Sequence, residues 1–106
     1  MYKAEDYTYK VFWSEEDNSF IATVAEFPRL SSIEESQSEA FTGMVKLVDF
    51  VLKEMRKEGE EPPAPLTRRK YSGEIRLRMP KEVHRRVAME AAEQGVSINQ
   101  LLVSRI

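Results

Sequence analysis

Charged and apolar side chains alternate over residues 72–79 in a pattern that suits contact with a polyanion. Glu74, Arg76 and Arg78 occupy every second position, and in a strand they point to the same side. The other side carries the apolar residues Ile75, Leu77 and Met79. A two-stranded β-ribbon is narrow enough to enter the major groove of DNA. The alternation therefore predicts a strand whose polar side faces base edges.

Two short helical patterns follow this segment and must position it. Pro80 favours the start of one helix, Gly95 its end, and Ser97 the cap of a second helix. Strand, helix and helix in under forty residues bury too little core alone, so the segment predicts a dimer with a shared core. The predicted dimer core comprises Ile75, Leu77, Met79, Val83, Val87, Ile98, Leu101 and Leu102.

The formal charge of −2 conceals two oppositely charged parts. Residues 1–67 hold 7 basic and 14 acidic side chains, a net charge of −7, whereas residues 68–106 hold 9 basic and 4 acidic side chains, a net charge of +5. Such asymmetry predicts nucleic acid as the partner of one part and a different partner for the other. The Pro-rich stretch 57–65 cannot continue a helix and predicts a linker before the boundary.

The sequence of the N-terminal part predicts a hairpin followed by a long helix. Alternating residues from Tyr7 to Trp13 predict one strand, and the run Phe20–Ala25 predicts its partner, with cover on both faces. A short third strand is expected near Leu30 to Ile33. The capping box Ser36 to Glu39 begins the helix and Gly59 ends it. Its predicted buried stripe comprises Phe41, Met44, Val45, Val48, Leu52 and Met55.

The composition gives little support to a catalytic or metal-binding function. The chain has no cysteine and a single histidine, His84, so thiol nucleophiles and thiolate metal sites are excluded. The N-terminal carboxylates fit a solvated acidic surface, and no metal or cofactor is predicted. Metal-dependent cleavage by converging carboxylates stays open as an alternative. These carboxylates are Glu5, Asp6, Glu15, Glu16, Asp17, Glu26, Glu34 and Glu35.

The run from Ser72 to Ile106 resembles a ribbon-helix-helix DNA-binding domain over the whole motif. The resemblance rests on the strand ending in Met79-Pro80, the helix exit Glu93-Gln94-Gly95 and the opening Ser97-Ile98-Asn99 of the second helix. It implies that the outward strand residues read operator bases. It also implies that the amides at Ser97, Ile98 and Asn99 anchor a DNA phosphate, which agrees with the donors that a helix N-terminus offers.

The N-terminal part extends the resemblance to nearly the whole chain. This part has, in chain order, a strand over Tyr9–Phe12, the run Phe20–Pro28 and a helix beginning near Glu39. This arrangement is similar to that of the HicB antitoxins, whose N-terminal part is a truncated RNase H-like fold. The resemblance implies binding of a small mRNA-cleaving HicA toxin and repression of the operon. This sequence departs from the family pattern at Arg29, where a glycine is expected, and over 33–36, which replaces a glycine-containing turn.

We therefore expect an α+β protein with a small antiparallel sheet and one long helix, linked to a ribbon-helix-helix dimerisation domain. The expected domains are a toxin-binding domain over 1–61, a linker over 62–71 and a DNA-binding domain over 72–106. The expected function is a non-enzymatic antitoxin and repressor that is cytoplasmic, binds no membrane and forms a homodimer. A tetramer through the N-terminal domain stays open. The alternatives are a metal-dependent RNase H-like nuclease with a DNA-binding tail and a ligand-responsive repressor.

Overall fold

The computed structural model describes all 106 residues, and residue contacts divide the chain into two units, Met1–Tyr71 and Ser72–Ile106. The first unit contains three strands and a long helix, and the second contains two shorter helices. The predicted α+β class is confirmed. The elements are β1 (Tyr9–Ser14), β2 (Ser19–Val24), β3 (Ser31–Glu34), α1 (Gln37–Lys57), α2 (Lys81–Gln94) and α3 (Ile98–Ser104).

The three strands form one antiparallel sheet in the order β1-β2-β3. The predicted hairpin joins β1 to β2, and Asn18 in its turn has a φ of 49°, in the left-handed region that asparagine tolerates better than most residues. β3 pairs with β2 and confirms the third strand expected near Leu30 to Ile33. The outer edges of β1 and β3 have no neighbouring strand in this sheet.

Only one face of the sheet is covered. Ala22 and Val24 of β2 are fully buried in the core with α1. Phe12, Ile21 and Ile33 lie opposite one another across the three strands and point to the other face. Phe12 is 37 % and Ile33 is 55 % exposed. The prediction that β2 is covered on both faces is therefore wrong, because the single helix α1 covers one face.

The first turn of α1 is capped as the sequence predicts. The Ser36 hydroxyl accepts a hydrogen bond from the Glu39 N–H at 3.2 Å, although the reciprocal bond from the Ser36 N–H to the Glu39 side chain is not formed. At the other end, Gly59 has a φ of 71° and its N–H donates to the Arg56 carbonyl, while the Glu60 N–H donates to the Met55 carbonyl. These two bonds form a Schellman motif, so Gly59 ends α1 as predicted.

The buried stripe of α1 is shifted slightly from the predicted one. Met44, Val48 and Leu52 are buried as expected, whereas Phe41 is 47 % exposed. Ala40 takes the fully buried place at this end of α1, where its carbonyl accepts from the Ser32 hydroxyl of β3. A Cβ at Gly43 would lie 3.1 Å from that hydroxyl oxygen. Small residues are therefore needed where α1 approaches β3.

The segment 62–71, for which the sequence predicts a linker, is attached to the first unit by hydrogen bonds. The Tyr7 hydroxyl donates to the Pro63 carbonyl at 2.8 Å, and the Leu66 N–H donates to the Glu26 carboxylate at 2.8 Å. Pro65 is fully buried, and Arg68 forms an ion pair with Asp6 at 3.1 Å. The chain therefore continues from α1 along the surface of its own unit.

The second unit contains the two helices that the sequence predicts. Residues 72–79, by contrast, form no strand within the chain. A strand requires a neighbour for its backbone hydrogen bonds, and the predicted neighbour is the same segment of a second copy. The ribbon itself stays a prediction. None of the helices is both long and apolar enough to cross a membrane.

Candidate functional site

The geometry of the second unit depends on a sharp helix exit between α2 and α3. Pro80 directly precedes α2, and Gly95 follows it with a φ of 70°. The Gly95 N–H donates to the Ala92 carbonyl at 3.2 Å and the Val96 N–H donates to the Ala91 carbonyl at 3.0 Å. This Schellman motif requires a left-handed residue, which is why glycine stands at position 95.

α3 is short, and its start is fixed by two reciprocal hydrogen bonds. The Ser97 hydroxyl accepts from the Gln100 N–H at 3.0 Å, and the Gln100 side chain accepts from the Ser97 N–H at 2.8 Å. The sequence predicts the Ser97 cap, but the contribution of Gln100 was not anticipated, although glutamine at this spacing is the signal of a capping box. An ion pair between Glu90 and Arg105 joins α2 to α3.

The predicted dimer core is only partly closed within one chain. Leu101 is buried, and so is Ala91, which is not among the predicted dimer-core residues. Ile75 is 87 % exposed and Leu77 is 60 % exposed. The remaining predicted core residues are half-buried, namely Met79, Val83, Val87, Ile98 and Leu102.

A groove of about 1130 Å³ within the second unit is bordered by five of the predicted core residues, namely Ile75, Leu77, Met79, Ile98 and Leu102. One wall is the extended segment 73–79, and the other is formed by α3 and the C-terminal residues. His84 of α2 also borders it. The groove is lined by Gly73, Glu74, Ile75, Leu77, Arg78, Met79, His84, Ile98, Asn99, Leu102, Val103, Arg105 and Ile106. We call this the C-terminal groove.

The three predicted base-reading residues are all exposed. Glu74 and Arg78 border the C-terminal groove, whereas Arg76 lies outside its lining. Neither arginine forms an ion pair within the chain. The Glu74 N–H donates to the Ser72 hydroxyl at 3.1 Å, next to Gly73 with a φ of 84°. The two guanidinium groups are therefore free to bind an external acceptor.

The predicted phosphate site lies at the start of α3. The Ser97 N–H already donates to Gln100, so it is engaged within the chain. The N–H groups of Ile98 and Asn99 belong to the first turn of α3 and have no acceptor within the chain. The structure therefore leaves two of the three predicted amides available as donors.

In the first unit, one carboxylate, that of Glu26, is buried, unlike the others. Glu26 is only 9 % exposed, and it accepts hydrogen bonds from the Thr8 N–H at 3.0 Å, the Thr8 hydroxyl at 3.0 Å and the Leu66 N–H at 2.8 Å. The prediction that it belongs to a solvated acidic surface is wrong for this residue. No sequence signal distinguishes Glu26, because its partners come from segments 18 and 40 residues away.

Burial and hydrogen bonding act on the pKa of Glu26 in opposite directions. Burial disfavours the carboxylate, but the hydrogen bonds from Leu66 and Thr8 outweigh it and hold the pKa below its ordinary value of 4.5. Burial, with a smaller contribution from the Glu26 charge, raises the pKa of Tyr9 to about 12. The Tyr9 hydroxyl donates to the Ala4 carbonyl at 2.6 Å. The hydrogen bonds of Tyr9 and Glu26 therefore attach residues near both ends of the unit, Ala4 and Leu66, to the rest of it.

No group of three or more histidine, aspartate and glutamate side chains lies close enough together to hold a metal ion. The only histidine, His84, is in the second unit. The exposed carboxylates of the hairpin turn, Glu15 to Asp17, directly follow β1, and Glu34 lies at the end of β3. The arrangement therefore offers two protein surfaces, an acidic one in the first unit and the C-terminal groove with its free arginines in the second.

The chain therefore consists of an α+β unit followed by a helix pair with an exposed groove. The model of the HicB family matches residues 56–106, and this match supports the family membership that the sequence resemblance implies. No curated protein and no solved structure matches the chain. Proteins of the HicB family are generally antitoxins rather than enzymes and are usually paired with a HicA toxin. Family membership suggests an antitoxin role here.

Proposed function

We propose that this chain is the antitoxin of a type II toxin–antitoxin system. It binds and neutralises a HicA-type mRNA-cleaving toxin through the first unit. As a homodimer, it represses its own operon by binding operator DNA through the second unit. Family membership supports the antitoxin role, and the C-terminal groove supports the dimer on which DNA binding depends.

The observation that carries the DNA-binding part is the exposure of Ile75 and Leu77 at 87 % and 60 %. Apolar side chains gathered in a groove mark an interface. A second copy suits this groove because segment 72–79 lacks a strand partner within the chain, and two such segments can pair antiparallel about a twofold axis. Pairing then buries the apolar side chains that the single chain leaves exposed.

Pairing also brings together two sets of the polar residues Glu74, Arg76 and Arg78. The ribbon enters the major groove with these residues toward the base edges. The N–H groups at the start of α3, from Ser97 to Asn99, lie beside the phosphate backbone, where Ile98 and Asn99 donate. The excess of basic residues in 68–106 favours this contact in a salt-dependent manner.

The toxin-binding part is supported by the negative charge of the first unit, which is −4 over Met1–Tyr71 because Arg68, Arg69 and Lys70 offset part of the acidic excess of the preceding residues. Residues 1–67 carry a net charge of −7, and an acidic surface attracts a basic RNA-binding protein and steers its association. Occupying that basic surface prevents RNA from binding there. Neutralisation in this proposal is therefore competition for the toxin's RNA-binding surface.

The dimer is tested by light scattering together with a gel-shift assay on the DNA upstream of the chain's own operon. We expect a dimer that shifts this DNA, whereas Leu77→Glu yields a monomer without specific DNA binding, since a charge cannot be buried unpaired. Met89→Glu is the matched control, because Met89 is 50 % exposed on α2 outside the C-terminal groove. A Leu77→Glu variant that still dimerises and binds would contradict the proposal.

The antitoxin role is tested by co-expression with the small basic protein encoded by the neighbouring open reading frame. We expect that this protein alone arrests growth, that the full chain restores growth and that the two proteins purify as a complex. Growth arrest that persists despite normal levels of the chain would rule out the antitoxin assignment.

A further inference from the structure

A strip of apolar side chains runs along β1 on the side of the sheet that α1 covers. Tyr9, Val11 and Trp13 occupy alternate positions of this edge strand. Phe20 of β2 lies opposite Trp13, and Phe41 of α1 contacts Tyr9. We call these five residues the aromatic strip. From Tyr9 to Trp13 it extends about 13 Å, four residues of strand rise.

Two residues of the aromatic strip are exposed, and the other three pack partly buried against the core. Trp13 is 43 % and Phe41 is 47 % exposed. The Trp13 and Phe20 rings meet edge-on with centroids 5.0 Å apart, and the Tyr9 and Phe41 rings do so at 5.6 Å. Aromatic groups held in this way lose little conformational freedom when a partner covers them. The outer edge of β1 beside them has no strand neighbour.

The charges next to the aromatic strip are mostly negative. Glu34 lies directly opposite Phe20 in the β2–β3 register, and the acidic turn residues Glu15 to Asp17 follow Trp13 within four positions. Lys46 shares a shallow hollow with Glu34 and Glu39, where the carboxylates outnumber it. Exposed apolar side chains that are surrounded by carboxylates favour a partner that presents apolar side chains within a basic surface.

The opposite face of the sheet offers a different environment. Its apolar row consists of Phe12, Ile21 and Ile33, and the Lys10 ammonium lies 5.3 Å from the centre of the Phe12 ring. Serine and threonine side chains occupy the neighbouring positions of this face. Glu34 places a carboxylate on the face of the aromatic strip, whereas Lys10 places an ammonium group beside the Phe12 row. A basic partner therefore finds more favourable charge beside the aromatic strip.

We propose that the aromatic strip is the surface on which this chain holds its toxin, with Trp13 and Phe41 as anchors and the carboxylates near Trp13 as the charged rim. This assignment rests on the proposed antitoxin function and specifies the residues that perform it. The partner is a basic protein that covers the strip with apolar side chains. Nucleic acid is disfavoured there, because the surrounding carboxylates repel phosphates.

The experiment measures the affinity of the full chain for the small basic protein of the neighbouring open reading frame by calorimetry. We expect Trp13→Ala to weaken binding by roughly 30-fold or more, the effect of removing an aromatic anchor. Phe12→Ala is the matched control, since Phe12 is the preceding residue, is similarly exposed and faces the other side of the sheet. We expect it to bind within about threefold of the unmodified chain.

The charged rim is tested by stopped-flow measurement of the association rate of the same two proteins. We expect Glu34→Lys to slow association at low salt by about tenfold and to lose this effect at high salt. Glu61→Lys, an exposed residue beyond α1, is the charge-matched control and leaves the rate near that of the unmodified chain. Circular dichroism of every variant confirms that the unit is folded.

The outcomes separate this assignment from the function on which it rests. If the unmodified chain binds the basic protein and both Trp13→Ala and Phe41→Ala bind equally well, the assignment is wrong while the antitoxin role stands. If Phe12→Ala is the variant that loses binding, the opposite face is the docking surface. If the strip variants instead change the oligomeric state, the occupant is a second copy. If the unmodified chain does not bind, both proposals fail.

Discussion

Glu26 connects three segments of the first unit through a single buried carboxylate. Its partners are Thr8, which directly precedes β1, and Leu66 in the segment after α1. Hydrogen bonds to an ionised group are stronger than those between neutral groups. Removing that charge should therefore loosen both attachments at once.

We predict that Glu26→Gln lowers the free energy of unfolding at pH 7 by about 1–3 kcal/mol. The pKa of Glu26 lies below its ordinary value of 4.5 in the folded protein, so the carboxylate stabilises the fold above that pH and the contribution is lost as pH falls through the folded pKa. Urea denaturation at pH 7 and at low pH measures this. Equal pH dependence in the variant and the unmodified chain would contradict the assignment. Glu61→Gln serves as the exposed control.

A second prediction about single residues concerns the two arginines of segment 72–79. We predict that Arg76→Ala or Arg78→Ala weakens operator binding by about 1–3 kcal/mol and relaxes sequence preference at the bases each contacts. Arg85→Ala, an exposed residue of α2 paired with Glu82, should instead weaken all sequences uniformly. Binding titrations on operator and unrelated DNA distinguish the two. An equal loss on both DNAs for Arg76 and Arg78 would argue against base reading.

At the scale of elements, segment 72–79 is the one that forms a strand only by pairing with a second copy in our proposal. We predict that its backbone N–H groups exchange slowly with solvent in the dimer, because each ribbon strand supplies acceptors to the other. Dilution or Leu77→Glu should make the same N–H groups exchange rapidly, while those in the middle of α1 remain protected. Hydrogen exchange followed by mass spectrometry measures this. Rapid exchange of residues 74–78 at concentrations where the chain is dimeric would exclude the ribbon.

At the scale of the whole molecule, the opposite charges of the two parts predict how salt affects each partner. The affinity for operator DNA should fall steeply between low and physiological salt, because bound phosphates release counterions. The affinity for the basic toxin should also fall, since residues 1–67 carry a net charge of −7. Titrations at several salt concentrations test both. A toxin affinity insensitive to ionic strength would count against electrostatic attraction as its source.

Local patterns in the sequence predicted most of the elements. The Ser36 cap, the exits at Gly59 and Gly95 and the third strand are features of a few adjacent residues, and each is present in the structure. Predictions that depended on distant contacts were less successful. The pattern predicts that Phe41 is buried and that β2 is covered on both faces, and neither prediction is correct, because periodicity indicates an apolar side without indicating what covers it.

The sequence by itself determined the α+β class, the order of helices and strands, the charge division and the resemblance to the HicB family, since all of these follow from residue types and short spacings. Only the tertiary structure decided that Glu26 is buried, that segment 62–71 is attached to the first unit and that Trp13 and Phe41 stay exposed on one side of the sheet. The physical reason is that burial and hydrogen bonding between residues far apart in the chain depend on how the elements pack, which no local pattern specifies.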